Sequence, residues 1–379
     1  MTEIYLIRHA EAEGNLYRRI HGWTDGNVTP LGMEQITALE KRFKSIKVDA
    51  VYSSDLRRAA LTASAIYVPK KLPLRQLKEL REVNMGVWED RCWGEVEQFE
   101  PEQSYYLNFS PDKWQVEGCE RYTDSLARIK KAVISIAKKN EGKTVAIISH
   151  GSIIRILLSD ALCYPPSEIN RVLYCDNTAV ALLNVDGSNI YVQNYNDNSH
   201  LTDELSAFHR DTWWAAEDAK DGRDMYFLPM DVWKSGDLYL RRYRDAWIQS
   251  HGHDGGFSPV YLDWARKRSR ENPQTVMEAY LEGTPCGMLE LAPSVNAYEN
   301  AGHIAFLYLE KQFRNRGLAV QLIGQAQSFY KKLGRSKLRL HVTDKNLPAM
   351  KFYKKYGFIM SSREPGQNGD ICVMEKSIQ

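Results

Sequence analysis

Apolar positions along the chain follow two rhythms, and each marks an element. Ile4-Tyr5-Leu6-Ile7 and Val145-Ala146-Ile147-Ile148 are short continuous apolar runs, the pattern of strands buried in a parallel sheet. The first runs into Arg8-His9-Ala10 and the second into Ser149-His150-Gly151. Ser53-Ser54-Asp55-Leu56 leads through Arg57 and Arg58 into Ala59-Ala60-Leu61-Thr62-Ala63, which reads as a helix. Gly151 opens a second helical stretch, Ser152 to Leu158. Functional groups in open α/β sheets gather at the carboxyl ends of the strands. His9 and His150 are therefore expected on one edge of one sheet.

After His200 the pattern changes. A polar stretch from Thr202 to Asp224, interrupted by Trp213-Trp214, reads as a helical connector over 203–222. It divides a domain over 1–202 from one over 223–379. The second domain reads as strand, two helices, two strands, strand, helix, strand, helix, strand, strand. Its strands include Met225–Leu228, the pair Thr275–Leu281 and Gly287–Leu291, Ile304–Leu309 and Lys337–Val342. Its helices are expected over Asp231–Gln249, Tyr261–Arg270, Ala319–Leu333 and Asn346–Tyr356.

Composition narrows the classes. The 379 residues can build two cores. The balance of 50 basic and 48 acidic residues leaves a formal charge of +2, which argues against a nucleic-acid binder. Six cysteines without C-x-x-C spacing suggest free thiols in a reducing compartment. The first strand begins almost at once, leaving no signal peptide, and no apolar run is long enough to cross a bilayer. A cytoplasmic protein is the expectation; the oligomeric state is not legible. His251-Gly252-His253-Asp254 lies in a glycine-rich loop and reads as loop rather than metal site.

The first domain resembles the histidine phosphatase, or phosphoglycerate mutase-like, superfamily. The matching segments are Leu6-Ile7-Arg8-His9-Ala10-Glu11 with Asn15, His21-Gly22-Trp23-Thr24-Asp25, Ser53 to Ala59, the Glu82 segment, Ile148 to Gly151, and Asn196 to Leu201. The resemblance implies a three-layer α/β/α domain that hydrolyses a phosphate ester. His9 would be the nucleophile and Glu82 the proton donor. Arg8, Asn15, Arg58, His150 and Gly151 would hold the phosphate, and no metal would be required. The chemistry suits these residue types: a neutral imidazole can carry a phosphoryl group, and guanidinium forks match its oxygens. His200 is expected to be structural. His21 stands where many relatives carry glutamine. Glu117-Gly118-Cys119-Glu120 replaces a more usual turn. Trp88, Trp93, Phe99, Tyr105, Tyr106 and Trp114 are candidates for a wall around the leaving group, or for ordinary core.

The second domain resembles GNAT-type N-acetyltransferases, which have a mixed-sheet α/β fold. The resemblance rests on Arg314-Asn315-Arg316-Gly317-Leu318-Ala319 opening a helix, and on Asn346 to Phe358. It implies acetyl-CoA as co-substrate and an amine as acceptor. Arg314, Arg316, Gly317, Leu318, Ala319 and Asn346 would hold the cofactor, and Tyr353 would protonate the departing thiolate. His303, at the start of its strand, or Glu290 would be the base. The combined expectation is a bifunctional enzyme acting on a small phosphorylated metabolite and a primary amine. Its rivals are a phosphomutase, and a phosphatase regulated by a non-catalytic acetyl-CoA-binding domain.

Overall fold

A computed structural model describes residues 1–210, 223–366 and 369–379. Most of the expected connector, with Trp213 and Trp214, lies outside the described residues. The chain divides into two compact units, Met1–Arg91 with Val96–Asp221, and Cys92–Glu95 with Gly222–Gln379.

The early chain contributes strands β1 (Thr2–Arg8), β2 (Ala50–Ser53), β3 (Leu74–Gln76), β4 (Thr144–Ser149), β5 (Val180–Asp186) and β6 (Asn189–Asp197). Its helices are α1 (Glu13–Leu16), α2 (Pro30–Phe43), α3 (Arg57–Tyr67), α4 (Trp93–Phe99), α5 (Pro101–Phe109), α6 (Tyr122–Lys139), α7 (Gly151–Ala161) and α8 (Ala207–Arg210). The sheet order is β3-β2-β4-β1-β5-β6. β1, β2, β3 and β4 pair in parallel, whereas β5 and β6 run antiparallel at one side. The apolar runs are the central strands. Ile4, Ile7, Val145, Ala146, Ile147 and Ile148 are fully buried, as strands covered on both faces must be. Ile36, Leu39 and Phe43 of α2 join Ala59, Ala63 and Ile66 of α3 in one core against this sheet. Thr29 caps α2 by accepting from the Gly32 amide, with Pro30 as first helical residue. β1 and β4 are adjacent and parallel, so Arg8 and Ser149 pair in register. His9 and His150 leave the sheet side by side.

The second unit contributes β7 (Met225–Pro229), α9 (Gly236–His251), α10 (Val260–Glu271), β8 (Val276–Leu281), β9 (Thr284–Ala292), β10 (Ala301–Leu309), α11 (Ala319–Lys332), β11 (Lys337–Thr343), α12 (Leu347–Lys355), β12 (Ile359–Glu364) and β13 (Ile371–Ser377). The sheet order is β12-β13-β11-β10-β9-β8-β7. Two boundaries correct the expectation. α9 starts at Gly236 rather than Asp231, because the Asp231 carboxylate accepts from the Trp233 and Lys234 amides and makes a turn there. β10 starts at Ala301, so His303 is the third residue of its strand rather than the first.

β10 and β11 pair in parallel only over Ala301–Ile304 against Lys337–Leu340. A bulge at Ala305 then shifts the β9 register, and beyond it β10 and β11 no longer pair. Ala305, Phe306 and Leu307 are half-buried in mid-sheet, between buried neighbours. The sheet is thus open along one seam.

Candidate functional site

The His9 and His150 rings lie with centroids 5.1 Å apart, both at least 94% buried. The His9 Nδ1 is 2.7 Å from the Ala10 carbonyl. A carbonyl only accepts, so Nδ1 carries the proton and Nε2 keeps its lone pair. Burial holds His9 well below the usual histidine range, and the Arg58 and Arg8 guanidinium groups push it the same way. His150 is lowered by burial, then by Arg58 and His9. Both imidazoles are therefore neutral near pH 7.

Each guanidinium is anchored at one end. Arg58 donates from Nη1 to the Thr24 carbonyl (3.0 Å) and from Nη2 to those of Gly22 (2.7 Å) and His21 (3.2 Å). Arg8 donates from Nη1 to the Cys175 carbonyl. The Nε atoms of Arg8 and Arg58 and both ring nitrogens of His150 are buried without a hydrogen-bond partner. Such groups cost about 1–3 kcal/mol each when nothing answers them. Four of them beside a neutral imidazole make a pocket chemically suited to an anion with several acceptor oxygens.

The other expected phosphate residues stand differently. Asn15 is half-buried in α1, its side-chain oxygen accepting from the Ala12 amide at 3.1 Å. The start of α7, which Gly151 opens, already carries a side-chain partner. The Ser152 and Ile153 amides donate to the Glu82 carboxylate, at 2.9 and 2.8 Å, and the Val83 amide adds a bond of 2.9 Å. The group that takes the first amides of α7 is the chain's own Glu82 side chain. Gly151 instead makes room: a Cβ there would lie 3.2 Å from Arg8 Nε. His21 likewise sits where Gly14 and Gly26 leave space, since a Cβ on either would come within 3 Å of its ring.

Sequence reasoning missed the groups that hold this pocket in shape. The Glu89 carboxylate accepts from the amides of Gly22 (3.2 Å), Trp23 (2.6 Å), Thr24 (2.8 Å) and Met85 (3.1 Å). It therefore fixes the loop whose carbonyls hold Arg58. Thr62 receives the Ala10 amide and donates to the Arg58 carbonyl. The buried Asn177 amide donates to the His9 carbonyl at 3.0 Å. His200 joins Arg42 to Thr178, whose backbone amide also reaches the His9 carbonyl. The signal for Glu89 was present as an acid near a Gly-flanked loop, but the pairing spans more than sixty residues.

In the second unit the start of α11 has no side-chain cap, Gly317 takes φ +76° with open space around it, and Arg316 is exposed. With Leu318 and Ala319 this is a backbone cradle suited to an anion. Arg314 turns away from it: Nε donates to the Leu309 carbonyl and Nη2 pairs with Asp245. Asn346 caps α12, accepting from the Ala349 amide, and donates to Ser250. These bonds tie both side chains into the fold of the second unit.

His303 faces His341 with ring centroids 5.0 Å apart. Burial lowers it to about 4, helped by His341 and Arg268. Its backbone is clamped by Tyr330, whose hydroxyl donates to the His303 carbonyl; Gly302 allows the Tyr330 ring to lie flat against the strand. Glu290 is buried, accepts from the Tyr239 hydroxyl at 2.7 Å and pairs with Arg268. Burial raises it. Tyr353 is half-buried beside Phe352 and Phe358, and burial pushes its hydroxyl up to about 12.

A mixed sheet with histidines and arginines gathered at the carboxyl ends of its parallel strands defines an α/β domain with a buried cationic pocket. A model of the histidine phosphatase superfamily (branch 1) matches residues 4–198, just over half of the chain, and the chain belongs to that superfamily. Residues 237–358 match the acetyltransferase (GNAT) family, so the two domains are fused in one chain. The first half is 29% identical over 208 residues to a metal-independent phosphoserine phosphatase of Arabidopsis thaliana, covering 53% of this chain and 84% of that protein. It is 30% identical over 209 residues to a probable phosphoglycerate mutase GpmB of Proteus mirabilis, covering 54% and 96%. Among solved structures, Bacillus stearothermophilus YhfR is 32% identical with a TM-score of 0.51, covering 53% of this chain and 99% of that one. Among the described residues, no helix is long and apolar enough to cross a membrane.

Proposed function

We propose that the first domain hydrolyses phosphate monoesters through a phosphohistidine, and that the second transfers acetyl from acetyl-CoA to an amine. The observation that carries the first part is the set of unanswered buried polar groups beside His9. A phosphate between the imidazoles would supply their acceptors. Its negative charge would also raise the proton affinity of His150, letting that ring donate from both nitrogens.

His9 Nε2 attacks phosphorus as the bond from phosphorus to the ester oxygen breaks. Glu82 gives its proton to that departing oxygen. Water then attacks phosphorus, the bond to Nε2 breaks, and Glu82 recovers a proton from the water. Arg8 and Arg58 neutralise the oxygens throughout, which is the main work in phosphoryl transfer. The Nδ1 bond to Ala10 fixes the ring so that Nε2 faces the phosphate.

For the second domain the supporting features are the uncapped start of α11, the free backbone at Gly317 and the seam between β10 and β11. Acetyl-CoA, when bound, supplies a thioester carbonyl for the amine to attack. His303 or Glu290 would take the ammonium proton, and Tyr353 would return one to the sulfur. We assign Gly317, Leu318, Ala319 and Arg316 to the pyrophosphate.

The test is His9→Ala. Hydrolysis of p-nitrophenyl phosphate should fall to background while calorimetric binding of acetyl-CoA persists. Undiminished hydrolysis would remove His9 as nucleophile. Absence of acetyl-CoA binding to the wild-type chain would remove the second activity.

A further inference from the structure

Acetyl transfer from a thioester to an ammonium group yields an amide, a thiol and one proton. That proton has to reach water in every turnover, and the second unit has to supply its path. The last residues paired across β10 and β11 are Ile304 and Leu340. His303 lies one residue before that point and His341 one residue after it, so the two flank the closed end of the seam. His303 pairs with Arg339, and side chains two apart on a strand share a face, so His341 points to the face that His303 occupies. Their rings meet edge to face, with centroids 5.0 Å apart. Ala292 stands opposite His303 on β9, which puts Glu290 on the same face. Tyr239 of α9 and Arg268 of α10 reach Glu290 there. Tyr330 of α11 packs on the other face, against Gly302.

The two candidate bases are held differently. Each Glu290 oxygen already accepts a donor, one from Tyr239 and one from Arg268. His303 is 9% exposed, and its Nδ1 is buried with no partner. A ring placed so can take a proton but has little contact with water to release it. His341 is exposed. Burial holds both rings below the usual histidine range, so both are neutral near pH 7 and can accept. The fixed charges around them give the proton a direction. His303 faces the Arg268 and Arg339 guanidinium groups, which repel a proton. His341 also faces Arg339, but the Glu364 carboxylate on its outer side draws a proton onto it. Arg339 is itself paired with Glu299 and Glu375.

We propose that His341 is the proton outlet of the acetyltransferase site. His303 takes a proton from the acceptor ammonium, whose nitrogen keeps the electron pair. The amine nitrogen then bonds to the thioester carbon as the carbon–sulfur bond breaks. Tyr353 gives its proton to the sulfur and is restored by the second proton that the nitrogen loses. His303 passes its proton to His341, which releases it to water. The terminal torsion of histidine is broad, so rings in edge contact can turn a nitrogen of each into hydrogen-bond reach. This rests on the acetyltransferase reading and adds a residue to it.

The experiment follows thiol release from acetyl-CoA near pH 7, with tyramine, spermidine and glycinamide as acceptor probes. His341→Ala and His341→Gln should lower kcat about tenfold or more, with KM for acetyl-CoA nearly unchanged. Added imidazole should restore most of kcat in both variants and leave wild type unaffected, because a small base in solution replaces the missing outlet. Near-ultraviolet circular dichroism checks folding. Wild-type kcat in either variant, or a loss that imidazole does not repair, would overturn the inference and leave the acetyltransferase reading standing. If wild type acetylates none of the three amines, the acetyltransferase reading fails and the inference with it.

Discussion

Removing Glu89 should disturb Arg58, to which it makes no hydrogen bond, through the loop that holds both. The Glu89 carboxylate accepts four backbone amides at 2.6–3.2 Å, three of them consecutive in the loop Gly22-Trp23-Thr24. Hydrogen bonds to a charged group contribute about 1.5–3 kcal/mol each. Trp23 is 39% exposed, so its amide can turn to water when the carboxylate is gone. We therefore expect Glu89→Ala to cost about 2–4 kcal/mol rather than the sum of four bonds. The effect on turnover comes through Arg58, whose terminal nitrogens rest on the His21, Gly22 and Thr24 carbonyls. Once the loop loosens, Arg58 loses its fixed aim. Loss of a charge-assisted contact of roughly 3 kcal/mol corresponds to about a hundredfold drop in kcat/KM. The assay is steady-state hydrolysis of p-nitrophenyl phosphate well below the melting temperature, with inorganic phosphate as competing ligand. Glu89→Gln, which keeps one acceptor oxygen, should fall between the two. Wild-type kcat/KM and wild-type phosphate affinity in Glu89→Ala would refute the reasoning.

Two further outcomes follow from buried groups. Asn177→Ala deletes the 3.0 Å bond to the His9 carbonyl, and kcat should drop about tenfold with KM nearly constant; a rise in KM alone would make Asn177 a bystander. His303 sits near 4 in the folded chain and near 6.5 unfolded, so below 6.5 the unfolded state binds the proton first. Its contribution is full above 6.5, shrinks as pH falls, and is gone by about 4. By pH 5 this amounts to about 2 kcal/mol. Urea unfolding of His303→Gln should be less sensitive to a shift from pH 7 to pH 5 by about that amount. An identical pH response in the two proteins would show that His303 does not titrate on unfolding.

Much of the architecture could be read from the chain because its strongest signals are local. The runs at Ile4–Ile7 and Val145–Ile148 are short, apolar and bounded by turn or helix signals, the pattern of buried strands, and the element order after Met225 matches the observed one. What escaped was decided by contacts distant in sequence. The bulge at Ala305 depends on β9 and β11. The Glu82 carboxylate finds its amides seventy residues away on α7, so it reads in isolation as one surface acid among many. Arg314 points to Asp245 on α9, a partner no motif reveals. The turn at Asp231 and the cap at Asn346 are different: both were legible locally, the first as an acid accepting the next amides, the second as Asn before Leu-Pro. The family resemblance points Asn346 to the cofactor, and its capping bond occupies one of the two lone pairs on that oxygen.

The account depends on a covalent bond between His9 and phosphorus. The most direct measurement mixes the enzyme with a phosphate monoester, quenches in alkali within the first turnover, and maps the modified peptide by mass spectrometry. One phosphoryl group on His9, alkali-stable and acid-labile, missing in His9→Ala, is the predicted result. Label on another residue, or turnover with no labelled peptide at any quench time, would contradict it.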